Sequence, residues 1–218
     1  MTVINRMMIT LKINRTIKRC AFALFALLTS SSALASDVLV EAESFQNKGG
    51  WSVDQQFIDQ MGSPYLIAHG LGKKVNDAQT NIEIKDKAKY YVYVRTYNWT
   101  APWCKTAGPG KFLISINNKK LNATLGSTGD KWMWQYAGEV SLPAGKASLK
   151  LHDLTGFDGR CDAIFLTTTP TTPPNSLKEL SGFRVKYNPT LQKEPAKKQF
   201  DLVVVGGGVA GMSAALSA

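Results

Sequence analysis

Tyr90-Tyr-Val-Tyr-Val-Arg-Thr-Tyr97 is a run of aromatic and β-branched residues, the composition of a strand whose side chains pack on a pleated surface. Similar short runs lie on both sides of it. Val38-Leu-Val-Glu-Ala-Glu43, Pro64-Tyr-Leu-Ile-Ala-His69 and Asn81-Ile-Glu-Ile-Lys85 precede it. Lys111-Phe-Leu-Ile-Ser-Ile-Asn117, Leu121-Asn-Ala-Thr-Leu125, the stretch 134–142, Ala147-Ser-Leu-Lys-Leu-His152 and Ala163-Ile-Phe-Leu-Thr167 follow. Several alternate apolar and polar residues with period two, as half-buried antiparallel strands do. Gly49-Gly50, Pro109-Gly110, Asn117-Asn118 and the glycines of 126–129 punctuate the series. No helical period of useful length interrupts it. About eight to ten short strands at this spacing predict a mainly β chain, with an antiparallel β-sandwich or jelly roll over residues 37–169.

The chain has 218 residues, 44% hydrophobic and 19% charged, with a net charge of +10. That balance is that of a packed globular protein and excludes a disordered chain. The positive charge is unevenly placed. Arg6, Lys12, Arg15, Lys18 and Arg19 stand in the first 35 residues with no acid, whereas 36–169 carries 15 basic and 13 acidic side chains. The near-neutral middle argues against a nucleic-acid face. After the basic head come nine apolar residues, Cys20-Ala-Phe-Ala-Leu-Phe-Ala-Leu-Leu28, and then Ala33-Leu-Ala35. Basic head, short apolar run and A-x-A site make residues 1–35 a secretory signal cut after Ala35, and the run is too short to span a bilayer. The mature protein is expected to be secreted or periplasmic, with no membrane segment.

In an oxidising compartment the two remaining cysteines, Cys104 and Cys161, are expected to form a disulfide. The alternative is a pair of free thiols packed as small hydrophobes. Of the five tryptophans, Trp99 and Trp103 lie in the loop-like Trp99-Thr-Ala-Pro-Trp103 and are candidate stacking platforms for a glycan. Trp132 and Trp134 are two apart and read as core packing. His69 and His152 stand in no metal-ligand spacing. Asp153, Asp158 and Asp162 could form an acid/base set, although Asp158-Gly159 reads more simply as a turn. Asn98-Trp-Thr100 and Asn122-Ala-Thr124 match the short glycosylation sequon.

Glu41-Ala-Glu43, Gly62-Ser-Pro-Tyr-Leu66, the strand 90–95 and Asp162-Ala-Ile-Phe-Leu166 together resemble the galactose-binding-like jelly rolls of carbohydrate-binding modules. The resemblance implies a structural calcium held by an acidic pair on the first strand and an acid near the last. Carried over, the ligands are Glu41, Glu43 and Asp162. Residues two apart share a strand face, and hard carboxylate oxygens suit calcium. Otherwise these acids are solvated or paired with lysines.

Thr169-Pro-Thr-Thr-Pro-Pro174 opens an expected proline-rich linker over 170–198, with Leu180, Phe183, Val185 and Tyr187 able to dock on a domain. Phe200-Asp-Leu-Val-Val-Val205 then reads as a parallel strand buried on both faces. Gly206, Gly207, Gly208, Val209, Ala210 and Gly211 complete G-x-G-x-x-G, and Met212-Ser-Ala-Ala-Leu216 opens a helix. In that context the glycines admit a tight turn and a pyrophosphate at a helix N-terminus. Val203-Val-Val-Gly-Gly-Gly-Val-Ala-Gly-Met-Ser-Ala-Ala215 resembles the first βα turn of FAD-dependent oxidoreductases. The resemblance implies a Rossmann-type domain, incomplete in residues 199–218, whose six-residue turn holds the FAD pyrophosphate. No ribose-binding acid follows at the usual distance of about 20 residues. The expected function is therefore that of the amino-terminal piece of an exported FAD-dependent oxidoreductase, inactive alone, with catalytic residues elsewhere and the rest of the FAD domain as partner. The alternative is a non-catalytic carbohydrate-binding or domain-docking β-sandwich module.

Overall fold

The computed structural model describes residues 36–104, 106–188 and 199–218; the expected leader over 1–35 lies outside them. β1 (Val38–Glu41) runs into a 3-10 turn at Ala42–Ser44, followed by β2 (Ser52–Asp54), α1 (Ile58–Met61), β3 (Tyr65–His69), β4 (Ala78–Ile84) and β5 (Ala88–Thr96). Next come β6 (Phe112–Ile116), β7 (Lys119–Lys120), β8 (Met133–Leu142), β9 (Gly145–Asp153) and β10 (Phe157–Thr167), then α2 (Leu177–Tyr187) and α3 (Val209–Ser217). One sheet has the order β2-β3-β10-β5-β8, with β1 also paired to β10; the other has the order β4-β9-β6-β7. Every ladder is antiparallel. The two sheets face each other across one large apolar core, the expected β-sandwich.

The sheets differ in what covers them, and the sequence patterns follow. In β9, Ala147, Leu149 and Leu151 face the core while Ser148, Lys150 and His152 do not, so the alternation is clean. β10 is buried at nine successive positions, because its outer face is covered too. Tyr93, Trp134, Ala163, Phe165 and Leu180 form a second apolar cluster there, and Met61, Tyr65 and Trp132 a third.

α2 builds much of the second cluster. Ser176 caps it: its side chain accepts from Glu179 N–H and donates to Glu179 Oε2 at 2.5 Å, so cap and first turn hold each other. Leu180 is buried, and Phe183 and Tyr187 meet Phe165 edge-on at 4.9 and 5.1 Å between ring centroids. Tyr187 also donates its hydroxyl to Asp37 at 2.9 Å. The segment expected as a linker thus carries a docked helix, with Leu180, Phe183 and Tyr187 among the docking residues.

The apolar run 200–205 departs from expectation. It has no strand partner among the described residues, and Phe200, Leu202, Val203 and Val205 are exposed. A strand is held by its neighbours' hydrogen bonds, and none is offered here, so no βα unit forms; only the helix after the glycines does. No described helix is long and apolar enough to cross a membrane.

Candidate functional site

The β5–β6 loop gathers the expected aromatic pair. Trp99 and Trp103 meet edge to face at 6.3 Å. Trp99 is anchored: its Nε1 donates to Phe157 O at 3.1 Å, and the Arg160 guanidinium lies 5.5 Å from its ring centroid. Trp103 is 78% exposed. The loop is held by Asn98, whose buried side-chain oxygen accepts from Thr100 N–H and hydroxyl at 3.3 and 2.9 Å. A Cβ on Gly108 would stand 1.9 Å from that oxygen, so the returning limb of the loop needs glycine there. In the folded protein Asn98 is buried and its side-chain oxygen engaged, whereas Asn122 is exposed.

Beside this loop lies a cleft of about 430 Å³ lined by Asn98, Cys104, Thr106, Ser127, Thr128 and Asp130, among others. Hydroxyl, amide and carboxylate groups next to an exposed indole suit a ligand with apolar ring faces and many hydroxyls.

The expected disulfide is not formed; both cysteines are free. Cys161 is buried in β10, opposite Leu66 of β3 and Thr96 of β5, where burial raises its thiol pKa. Cys104 is exposed on the loop with Sγ 2.8 Å from Thr106 Oγ1, a hydrogen bond that lowers its pKa. An even cysteine count carries no information on distance, and a disulfide needs Cα atoms within about 7 Å. Alkylation of the folded, signal-free protein is expected to add one label, and alkylation after denaturation without reductant a second. No label in either state would restore the disulfide.

The three aspartates of the imagined acid/base set do not converge. Asp153 is buried and accepts from Val75, Thr155 and Gly156 amides at 2.9–3.1 Å, fixing the β9–β10 turn. Asp158 pairs with His69 Nδ1 at 2.6 Å. Asp162 is fully buried, at a bulge of β10 further along the strand. His152 is less isolated than its spacing suggested: Nε2 lies 2.7 Å from Ser115 Oγ and Nδ1 2.8 Å from Asp77 Oδ2. That is the connectivity of a hydrolytic triad, but Ser115 is 2% exposed and sits in a strand paired on both edges. A nucleophile needs access and free donors for an oxyanion, so this network is structural. Trp132 and Trp134 are buried as expected, although beneath α1 and α2 rather than between the sheets.

The calcium candidates do come together, around cations from the chain itself. A register shift between Cys161 and Ala163 opposite Thr96 and Arg95 marks a bulge, which brings Asp162 beside outward-facing Arg95. Bulges re-aim side chains in this way. Asp162 accepts from Arg95 Nη1 at 2.9 Å, from Arg184 Nη2 at 2.8 Å on both oxygens, and from Ser63 at 3.0 Å. Arg184 Nε lies 3.0 Å from Glu41 Oε1, in ion-pair range though not aligned as a hydrogen bond. β1 ends at Glu41, and Glu43 sits in the 3-10 turn rather than on the strand. Burial pushes the Glu41 carboxyl up to about 7 against the pull of Arg184. Burial pushes Glu43 up to about 8, with the Glu41 and Asp162 charges adding to it.

Arg95 and Arg184 were absent from the sequence reading. A charged residue inside an apolar strand is the signal for Arg95. Arg184 follows Leu180 by four and precedes Tyr187 by three, which places it on α2's docking face.

At the glycine turn, Gly206 has φ +113° and Gly208 caps α3. A Cβ on Gly211 would lie 2.1 Å from Gly206 O, so the third glycine is needed for the turn to lie against its helix. Gly207 and Gly208 have open space where a Cβ would stand.

No protein-family model matches the chain, and no curated protein matches it. Solved structures similar to it include the GH26-CBM35 β-(1,4)-mannanase of Podospora anserina, with 21% identity, 64% of this chain and 29% of that one covered, and a TM-score of 0.49. A family 35 carbohydrate binding module from Clostridium thermocellum has 16% identity, with 62% of this chain and 100% of the module covered and a TM-score of 0.48. The C-terminal CBM6 of LamC, a marine laminarinase from Zobellia galactanivorans, has 16% identity, 61% and 99% coverage and a TM-score of 0.45. The match thus spans less than a third of the mannanase and the whole of the Clostridium module.

Proposed function

We propose that the β-sandwich is a non-catalytic carbohydrate-binding module of an exported protein, with the β5–β6 loop and its cleft as the glycan site. The observation that carries this is Trp103, an exposed indole that packs on the anchored Trp99 and belongs to the same loop as Cys104 and Thr106, which line the polar cleft. The sugar's ring face stacks on Trp103 while its hydroxyls exchange hydrogen bonds with Ser127, Thr128 and Asp130 at the cleft wall. Titration of soluble mannan, galactan, β-glucan and xylan, followed by tryptophan fluorescence, tests the reading. One polymer is expected to bind, and Trp103→Ala to weaken it at least about tenfold, the loss of roughly 1.4 kcal/mol. Binding to none of them, or binding unchanged in Trp103→Ala, refutes the site.

A second reading rests on the glycine turn. The helix start, the φ of Gly206 and the forbidden Cβ at Gly211 favour 206–211 as an FAD pyrophosphate cradle in an oxidoreductase that the sandwich accompanies. The flavin would supply the redox chemistry; the amides opening α3 would hold its phosphates. Protein expressed from the whole reading frame is expected to carry stoichiometric flavin, and colourless protein refutes this reading.

A further inference from the structure

The acidic trio does not fit the calcium that the jelly-roll resemblance implies. Calcium takes six to eight oxygens. Both oxygens of Asp162 are already filled by two guanidinium groups and a hydroxyl, and Glu41 Oε1 faces Arg184. Glu41 Oε1, Glu41 Oε2 and Glu43 Oε2 stay without a hydrogen-bond partner, still too few for the ion, and Oε1 lies 3.0 Å from the Arg184 guanidinium. No group of three metal-ligating side chains suited to a metal occurs among the described residues.

We infer that Arg184 is the resident cation of this site: a guanidinium carried in by α2 takes the position that a divalent ion is expected to hold between β1 and β10. The geometry supports this at both ends of the side chain. Nη2 forks onto both oxygens of Asp162, Nη1 donates to Met61 O, and Nε faces Glu41. One side chain therefore ties together β1, the end of α1, β10 and α2, elements far apart in sequence, as a multidentate ion would. Arg95, on β5, supplies the second positive charge. Both guanidinium groups donate to Asp162, and Arg184 also faces Glu41. A planar, five-donor fork suits this role where a lysine would not. The consequence is that α2 belongs to the domain, and that the domain stands without a metal.

Thermal unfolding of the signal-free protein in millimolar CaCl2 and in excess EDTA is the first test. The two melting temperatures are expected to agree within about 1 °C, because a ligand that binds the folded state must raise it. A calcium-dependent rise of several degrees in the unaltered protein overturns the inference. The second test is Arg184→Ala. It is expected to melt about 10 °C lower and to gain what the parent lacks, stabilisation by calcium, since a groove of about 580 Å³ already reaches Glu41 and Glu43. Should this variant not fold, folding restored by millimolar CaCl2 but not by NaCl is the same gain. A variant that melts like the parent, or shows no calcium response in either form, counts against Arg184 as the cation. Arg184→Lys is expected to melt well below the parent, and a lysine that fully replaces the arginine refutes the multidentate role.

Discussion

Asparagine in place of Asp162 is expected to destabilise the protein by about 3–5 kcal/mol, seen as a lower urea midpoint at unchanged slope. Asp162 is 0% exposed and accepts from Arg95, Arg184 and Ser63. Asparagine keeps the shape but removes the charge, and it turns a donor toward a guanidinium that can only donate. Two buried cations then face a single partially satisfied oxygen. The loss is one of pairing rather than of volume, which gives the experiment a control. In an Arg184→Ala background the same change should cost much less, and the double-mutant cycle should return a coupling of about 1–3 kcal/mol. A single-mutant loss below about 1 kcal/mol, in the range of a surface change, would mean that the cluster is open to water. The neighbouring apolar cluster supplies a contrast. Leu180 docks by burial, worth about 1.5–3 kcal/mol on its own, and carries no charge to strand when it is lost.

The parts of this fold that could be read from sequence are those with one wet face. In β9 the apolar residues fall at every second position because solvent and core alternate across the strand. β10 shows no such rhythm, since α2 and α1 cover its outer face and the bulge at Asp162 shifts its parity midway. Nothing local announces that bulge. The pairing of Asp162 with Arg184 spans 22 positions and depends on a helix docking across the sheet, which no spacing rule encodes. The same limit applies to 200–205, where composition marks a strand-forming segment but cannot provide the neighbour that makes it one. The Trp99–Trp103 pair was legible because its evidence is local: two indoles, a proline and glycines within a loop. The calcium expectation named three acids that the fold brings together. It missed what lay between them because an arginine on a later helix is silent in the first strand's motif.

Stability should fall as pH rises from about 5 to 9, by on the order of 6 kcal/mol if both shifts are fully expressed. The cause is that Glu41 and Glu43 have carboxyls raised to about 7 and about 8 by burial, whereas in the unfolded chain they titrate near 4.5. Between those values the folded protein binds more protons than the unfolded one, so the slope of unfolding free energy with pH is negative. The stability is complete below about 4.5 and is lost as pH passes through 7 and 8. The groups around Glu43 explain why it holds its proton more firmly. Glu41 and Asp162 are close enough to repel a third negative charge, and Arg184 and Arg95 are already committed to those two. Glu43→Gln isolates the effect, since an amide mimics the protonated acid in size and charge. At pH 5 the variant should unfold with the parent. At pH 8.5 it should be the more stable of the two, and its pH profile should be flatter. A parent whose stability instead rises between pH 5 and 8 would show that these carboxylates are ionised and stabilised in the folded state, and would return the site to a metal or to solvent.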